Sequence, residues 1–121
     1  MSDIIRIDQN ARRSRATVVG NLVFLAGQVA DNKSGDIVQQ TREVLTKVDA
    51  MLARAGTDKS RLLNVQIWLK SMDDFDAMNA VYDAWVVPGS APTRACGRVD
   101  LADPAWRIEL IAIAAAPMTL V

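Results

Sequence analysis

Between two stretches of helical periodicity lies a short segment, Leu63 to Leu69, in which Leu63, Val65, Ile67 and Leu69 alternate with Asn64, Gln66 and Trp68. A period of two marks a strand with one face in a core, and a strand threaded between helices restricts the chain to folds that combine both layers. Upstream, Val44, Leu45, Val48, Met51, Leu52 and Ala55 recur at steps of three and four within Ile37 to Ala55, and Gly56 follows as a stop, which predicts a first helix. Downstream, Phe75, Met78, Tyr82 and Trp85 fall on one helical face, and Pro88-Gly89 ends the segment, which predicts a second. Asp73, Asp74 and Asp76 crowd its start, where carboxylates serve as caps and dipole partners. That use outweighs a metal site, because no histidine is near.

Ahead of the helices, Arg15 to Val19 and Leu22 to Ala26 are β-rich runs around Gly20-Asn21, residues that tolerate the positive φ of a tight hairpin turn. Behind them, Thr93 to Val99 and Ala105 to Ala114 read as strands joined by the turn-forming stretch Asp100 to Pro104. The expected order is ββαβαββ: an α+β fold of one domain over residues 1–121, with one mixed sheet carrying both helices on one face. The first dozen residues and the last five look loosely tied. Two helices leave the other sheet face bare, and a large exposed apolar face is rare on soluble monomers, so self-association is expected.

Composition narrows the chemistry. The chain has no histidine, which removes the Ser-His-Asp triad, the Cys-His pair, the HExxH zinc site and the usual general base. One cysteine, Cys96, excludes an intrachain disulfide and every zinc motif built on two thiolates. Any reaction must run on carboxylates, arginine, the thiol and water, with no metal expected. Gly20, Gly27 and Gly35 fit neither dinucleotide-binding nor P-loop spacing. Lys plus Arg and Asp plus Glu number 14 each, so no basic surplus exists to hold nucleic acid. The amino terminus carries charge where a signal peptide needs an apolar run, and no window approaches the roughly 18 apolar residues of a membrane span. A soluble, cytoplasmic protein is expected.

Alternation places Arg94, Cys96 and Arg98 on one face of their strand, and Arg107, Glu109, Ile111 and Ile113 on one face of the last. Glu109 stands where a charged pair gives way to the apolar run IAIAAA, so it wants a cation; Arg94, Arg98 and Arg107 are the candidates. An ordinary ion pair between partly buried charges is the commoner use of such residues. Cys96 without a histidine reads as a small buried hydrophobe, and Trp68, Trp85 and Trp106 as packing residues.

Four motifs in order resemble one known family. The run NLVFLAGQV from Asn21 to Val29 is similar to the NLxxxSGQ(I/V) strand of the RidA (YjgF) family, APTRAC from Ala91 to Cys96 resembles its PxRxC strand, and IELIAIA from Ile108 to Ala114 its closing (I/V)E(I/L)xxIA strand. Asp74-Phe75 leading to Asn79 and Tyr82 in the second helix agrees as well, as does the separation of Arg94 from Glu109.

The resemblance implies a chorismate-mutase-like fold assembled as a homotrimer, with the bare faces packed into a central barrel and pockets at the subunit boundaries. It implies hydrolysis of reactive 2-imino acids and their enamine tautomers, such as 2-aminoacrylate, to 2-oxo acids and ammonia, without a cofactor. Arg94 would hold the substrate carboxylate by two parallel charge-assisted hydrogen bonds, and Glu109 would orient water and shuttle a proton. By similarity, Ala26, Gly27 and Cys96 would line the pocket, with Asn79 and Phe75 supporting or enclosing it. Whether Arg94 and Glu109 of one pocket come from one chain or two stays open. The chain departs from the family pattern at Ala26, where many members carry Ser, and at Arg13, where many carry Tyr, and in a shortened loop before Arg94. The alternatives are a non-catalytic protein of the same fold that holds a small carboxylate metabolite through Arg94, an RNA-cleaving protein, and a redox-activated holdase.

Overall fold

The computed structural model describes residues 3–117. Strands β1 (Ile4–Ile7), β2 (Ala16–Val19) and β3 (Leu22–Leu25) precede helix α1 (Ile37–Arg54), strand β4 (Leu62–Leu69), helix α2 (Phe75–Trp85) and strands β5 (Thr93–Arg98) and β6 (Ile108–Ala115). All six strands form one mixed sheet in the order β1-β2-β3-β6-β4-β5, in which only the edge pair β4-β5 is parallel.

The local chemistry explains each boundary. Asp36 and Gln39 form a reciprocal capping box at the start of α1: Gln39 N–H donates to Asp36 Oδ1 at 2.8 Å and Asp36 N–H to Gln39 Oε1 at 2.9 Å. At its end Gly56 takes φ +82°, and the N–H groups of Gly56 and Thr57 close back onto Ala53 and Leu52, a left-handed stop that a side chain resists. The β2-β3 hairpin turns on Gly20 and Asn21, of which Gly20 alone takes positive φ. A 3-10 turn over Met72–Asp74, capped by Ser71, leads into α2.

The core lies between the helices and one sheet face. Val44, Leu45, Val48, Met51 and Leu52 of α1 and Met78 and Tyr82 of α2 close over Val23, Leu25, Val65, Ile67, Leu69, Ile108, Leu110, Ala112 and Ala114, every second residue of the central strands. Burying each larger side chain contributes about 1.5–3 kcal/mol, which makes this layer the main source of stability. Among the described residues the opposite face carries no helix. Leu22 and Phe24 of β3, Gln66 and Trp68 of β4 and Ile111 and Ile113 of β6 remain open there, Phe24 with 39 % of its surface exposed.

Three expectations are corrected. Part of the amino-terminal dozen is not loose: Ile4–Ile7 pair antiparallel with β2, so a strand precedes the expected hairpin. This strand is mostly exposed and is held by its backbone ladder rather than by burial, so its sequence carries little periodicity. The last strand begins at Ile108 rather than Ala105, because residues 103–105 turn and buried Gln40 clamps that turn, donating to the Ala105 carbonyl at 3.1 Å and accepting from Arg107 N–H at 2.9 Å. Leu63 does not join the core: a register shift between Leu62 and Asn64 buries Leu62 and leaves Leu63 44 % exposed. The expected loose carboxyl end lies, from residue 118 on, outside the described residues.

Candidate functional site

Two clusters emerge from the sequence-selected residues, on opposite faces of the sheet. The first surrounds Arg94. In the parallel ladder Arg94 aligns with Val65, Cys96 with Ile67 and Arg98 with Leu69, so these three residues share the helix-bearing face. The start of β5 is pinned by Thr93, whose hydroxyl donates to the Leu63 carbonyl and accepts from Asn64 Nδ2, both at 2.9 Å. From there the Arg94 guanidinium reaches under α2. Its Nη1 donates to Asn79 Oδ1 at 2.7 Å, and its Cζ lies 4.9 Å from the centroid of the Tyr82 ring and 6.0 Å from that of Phe75. One edge is thus held by an amide and the planar group is steadied by aromatic faces. No other hydrogen bond or ion pair occupies Arg94 among the described residues. An open depression of about 370 Å³ surrounds it, lined by Asn79, Tyr82, Asp83, Val86, Ala91 and Pro92. Cys96, one turn of the pleat away, packs against the core, and burial pushes its thiol pKa up against a smaller opposing pull from Arg94. A thiol held neutral in this way is a poor nucleophile at neutral pH.

The second cluster surrounds Glu109. It aligns with Trp68 across the β4-β6 ladder while its neighbours Ile108 and Leu110 are buried under the helices, so its carboxylate stands on the bare face. Gln28 and Leu110 exchange backbone hydrogen bonds at 2.9 and 3.1 Å, which brings the preceding residue, Gly27, against the Glu109 side chain. A Cβ on Gly27 would overlap Glu109 Oε2 and stand 2.9 Å from its Cδ, so glycine is needed for the carboxylate to occupy this position. Ala26 holds the approach, its N–H donating to the Arg15 carbonyl at 2.9 Å and its carbonyl accepting from Gln28 Nε2 at 3.0 Å.

The ion pair expected for Glu109 is absent among the described residues. Arg94 and Arg98 face the other side of the sheet, and Arg107 turns to Asp74 at 3.7 Å. Glu109 makes no side-chain hydrogen bond or salt bridge there, and desolvation raises its pKa above the ordinary 4.5. The reason lies in the registers. Trp68 aligns with both Glu109 and Gly97, which places Glu109 with Gly97 and therefore opposite Arg94, Cys96 and Arg98.

The structure therefore gathers Arg94, Asn79, Phe75 and Cys96 at one place and Glu109, Gly27 and Ala26 at another. Tyr82 and Asp83 were not chosen as site residues from the sequence; their spacing of three and four from Asn79 on one helix is the signal that finds them. Trp68 beside Glu109 carries no local signal, because only the strand pairing brings them together. Among the described residues no group of three or more carboxylates and thiols is placed to hold a metal ion, and no helix is long and apolar enough to cross a membrane.

The sequence model described as Endoribonuclease L-PSP matches residues 4–116. A RutC family protein of Haemophilus ducreyi is 41% identical over 112 residues, covering 93% of this chain and 96% of the relative. The chain belongs to the RidA (YjgF) family. The RutC family protein YoaB of Escherichia coli is 38% identical over 93% of this chain and 97% of its own. The fold agrees with this membership. A crystal structure of NMB1025, a member of the YjgF protein family from Neisseria meningitidis, superposes with a TM-score of 0.93 at 38% identity, covering 97% of this chain and 98% of that one. A Pseudomonas aeruginosa protein gives 0.91 at 43% identity, over 94% and 99% of the two chains.

Proposed function

We propose that this protein hydrolyses reactive 2-imino acids and their enamine tautomers to 2-oxo acids and ammonia, as a cytoplasmic homotrimer of one domain per chain whose pockets are shared between copies. The observation that carries this reading is Glu109: a half-buried carboxylate with raised pKa and no partner among the described residues of its own chain, standing on a sheet face that those residues do not cover. An unpaired desolvated carboxylate is costly in a purely structural role and is suited to proton transfer.

The chemistry then divides between two copies. Arg94, with one edge on Asn79 and its plane steadied by Tyr82, presents its remaining N–H groups to a planar carboxylate in a two-point grip. Glu109 of a second copy accepts a proton from water as the oxygen adds to the carbon of the protonated imine, forming a neutral carbinolamine. Returning that proton to nitrogen lets ammonia leave with the C–N bond pair while the carbinolamine hydroxyl forms the carbonyl and gives its proton to solvent, which produces the 2-oxo acid. The carboxylate ends in its starting state and no cofactor is consumed. Raised pKa favours this shuttle, since a group closer to neutrality takes and returns a proton more readily.

A second reading rests on a different observation: the Arg94 anchor is complete within one chain, with Asn79, Tyr82 and Phe75 in place. Such a site can hold a small carboxylate metabolite without turnover. The family description as an endoribonuclease suggests RNA as a substrate, but a chain with equal numbers of cations and anions and no histidine supplies neither a polyanion groove nor the usual base. One assay divides the readings. An amino-acid oxidase generates imines in situ, and the purified protein is added; faster imine loss supports the deaminase, whereas 2-oxo acid binding without acceleration leaves the carboxylate-binding module.

A further inference from the structure

The depression beside Arg94 is larger than the group it is proposed to hold. A carboxylate fills a small part of about 370 Å³, and the rest must receive whatever the substrate carries beyond its reacting carbon. The walls are unequal in character. Val86, Ala91 and Pro92 are apolar, and Asp83 is the one other formal charge that this chain's described residues contribute to the lining. Asp83 follows Tyr82 on α2, stands four residues beyond Asn79, and is exposed, with no hydrogen bond or ion pair among the described residues. It does not form a salt bridge with Arg94, whose side-chain hydrogen bond among the described residues is to Asn79. Its charge is therefore unneutralised by the described residues of this chain and acts on whatever enters the depression.

We infer that Asp83 is a charge filter for the substrate side chain: it admits 2-imino acids with apolar or cationic side chains and rejects those with a second carboxylate. This rests on the deaminase reading for the reaction, and on the depression alone for the selectivity. The Arg94 guanidinium satisfies one carboxylate. A second one on the same substrate would lie against apolar walls beside a like charge, with no further cation among the described residues of this chain that line the depression. A guanidinium-tipped side chain gains attraction to Asp83 while its methylene stem covers Val86 and Pro92. Because Asp83 is exposed, the discrimination is modest, about threefold to tenfold in each direction, and weakens with salt.

The test uses the full-length protein and Asp83→Asn with imines generated from leucine, arginine and glutamate by oxidases of matching specificity. In parallel, calorimetry measures binding of the three corresponding 2-oxo acids. The wild type is expected to prefer the arginine- and leucine-derived compounds to the glutamate-derived one. Relative to the leucine-derived imine, Asp83→Asn should raise KM for the arginine-derived and lower it for the glutamate-derived imine by about threefold to tenfold, with the difference shrinking at high salt. A preference order that survives the substitution overturns the filter, as does a wild type that binds none of the 2-oxo acids. Absence of turnover together with charge-ordered binding that Asp83→Asn abolishes removes the deaminase reading and leaves the filter standing.

Discussion

Arg94 and Glu109 lie on opposite faces of one sheet, with β4 between their strands. A pocket that uses both must draw them from different copies. Arg94→Ala and Glu109→Gln, each inactive alone, should therefore complement one another. Unfolding and reassembling an equal mixture is expected to restore about a quarter of wild-type turnover, since in the proposed trimer each mixed assembly regains one intact site in three. A mixture as inactive as its parents would show that the two residues do not share an intersubunit pocket.

Gly27 leaves the space that the Glu109 carboxylate fills. Gly27→Ala is expected to fold, to retain 2-oxo acid binding through Arg94, and to lose about a hundredfold in turnover as the carboxylate is pushed aside. Circular dichroism, calorimetry and the coupled imine assay on one preparation check this, and normal turnover would remove Glu109 from the reaction.

The orientation of Arg94 depends on a planar group stacked near Tyr82 and bonded to Asn79. Arg94→Lys retains the charge but supplies a point cation in place of a fork, so affinity for 2-oxo acids should fall at least about tenfold. Near-normal affinity in the Lys variant would mean that charge alone holds the ligand.

Desolvation raises the Glu109 pKa in the folded chain above its ordinary value of 4.5, with no opposing cation among the described residues of that chain. The folded state then binds more protons than the unfolded state between those two pKa values, so stability falls as pH rises through the window. Glu109→Gln removes this cost. Its melting temperature should equal or exceed that of the wild type at pH 7, converge with it below the ordinary carboxylate value, and be accompanied by about a hundredfold loss of turnover. Early melting at pH 7 with normal hydrolysis would point to a structural carboxylate instead.

Gly56 closes α1 at φ +82°. Gly56→Ala forces a side chain into the left-handed region and is expected to cost about 1 kcal/mol, a fall of about 4 °C in Tm, without altering imine turnover. An unchanged Tm would show that the turn relaxes to another conformation.

What the sequence determined by itself was local. The steps of three and four from Val44 to Leu52 place α1, the alternation of Val65, Ile67 and Leu69 places β4, and Gly20-Asn21 places the hairpin, because each pattern is written within a few neighbouring residues. Family motifs likewise mark Arg94 and Glu109. Only the tertiary structure decided which side of the sheet each one takes. Alternation sorts a strand into two sets of residues, but the matching of sets between strands depends on register, and a shift of one residue exchanges the faces. The pairing of Trp68 with both Glu109 and Gly97 is such a nonlocal fact, and it places the two members of an expected ion pair on opposite faces of the sheet. The same holds for β1, where Ile4–Ile7 become a strand because β2 offers an open edge of backbone donors and acceptors, not because their side chains announce one.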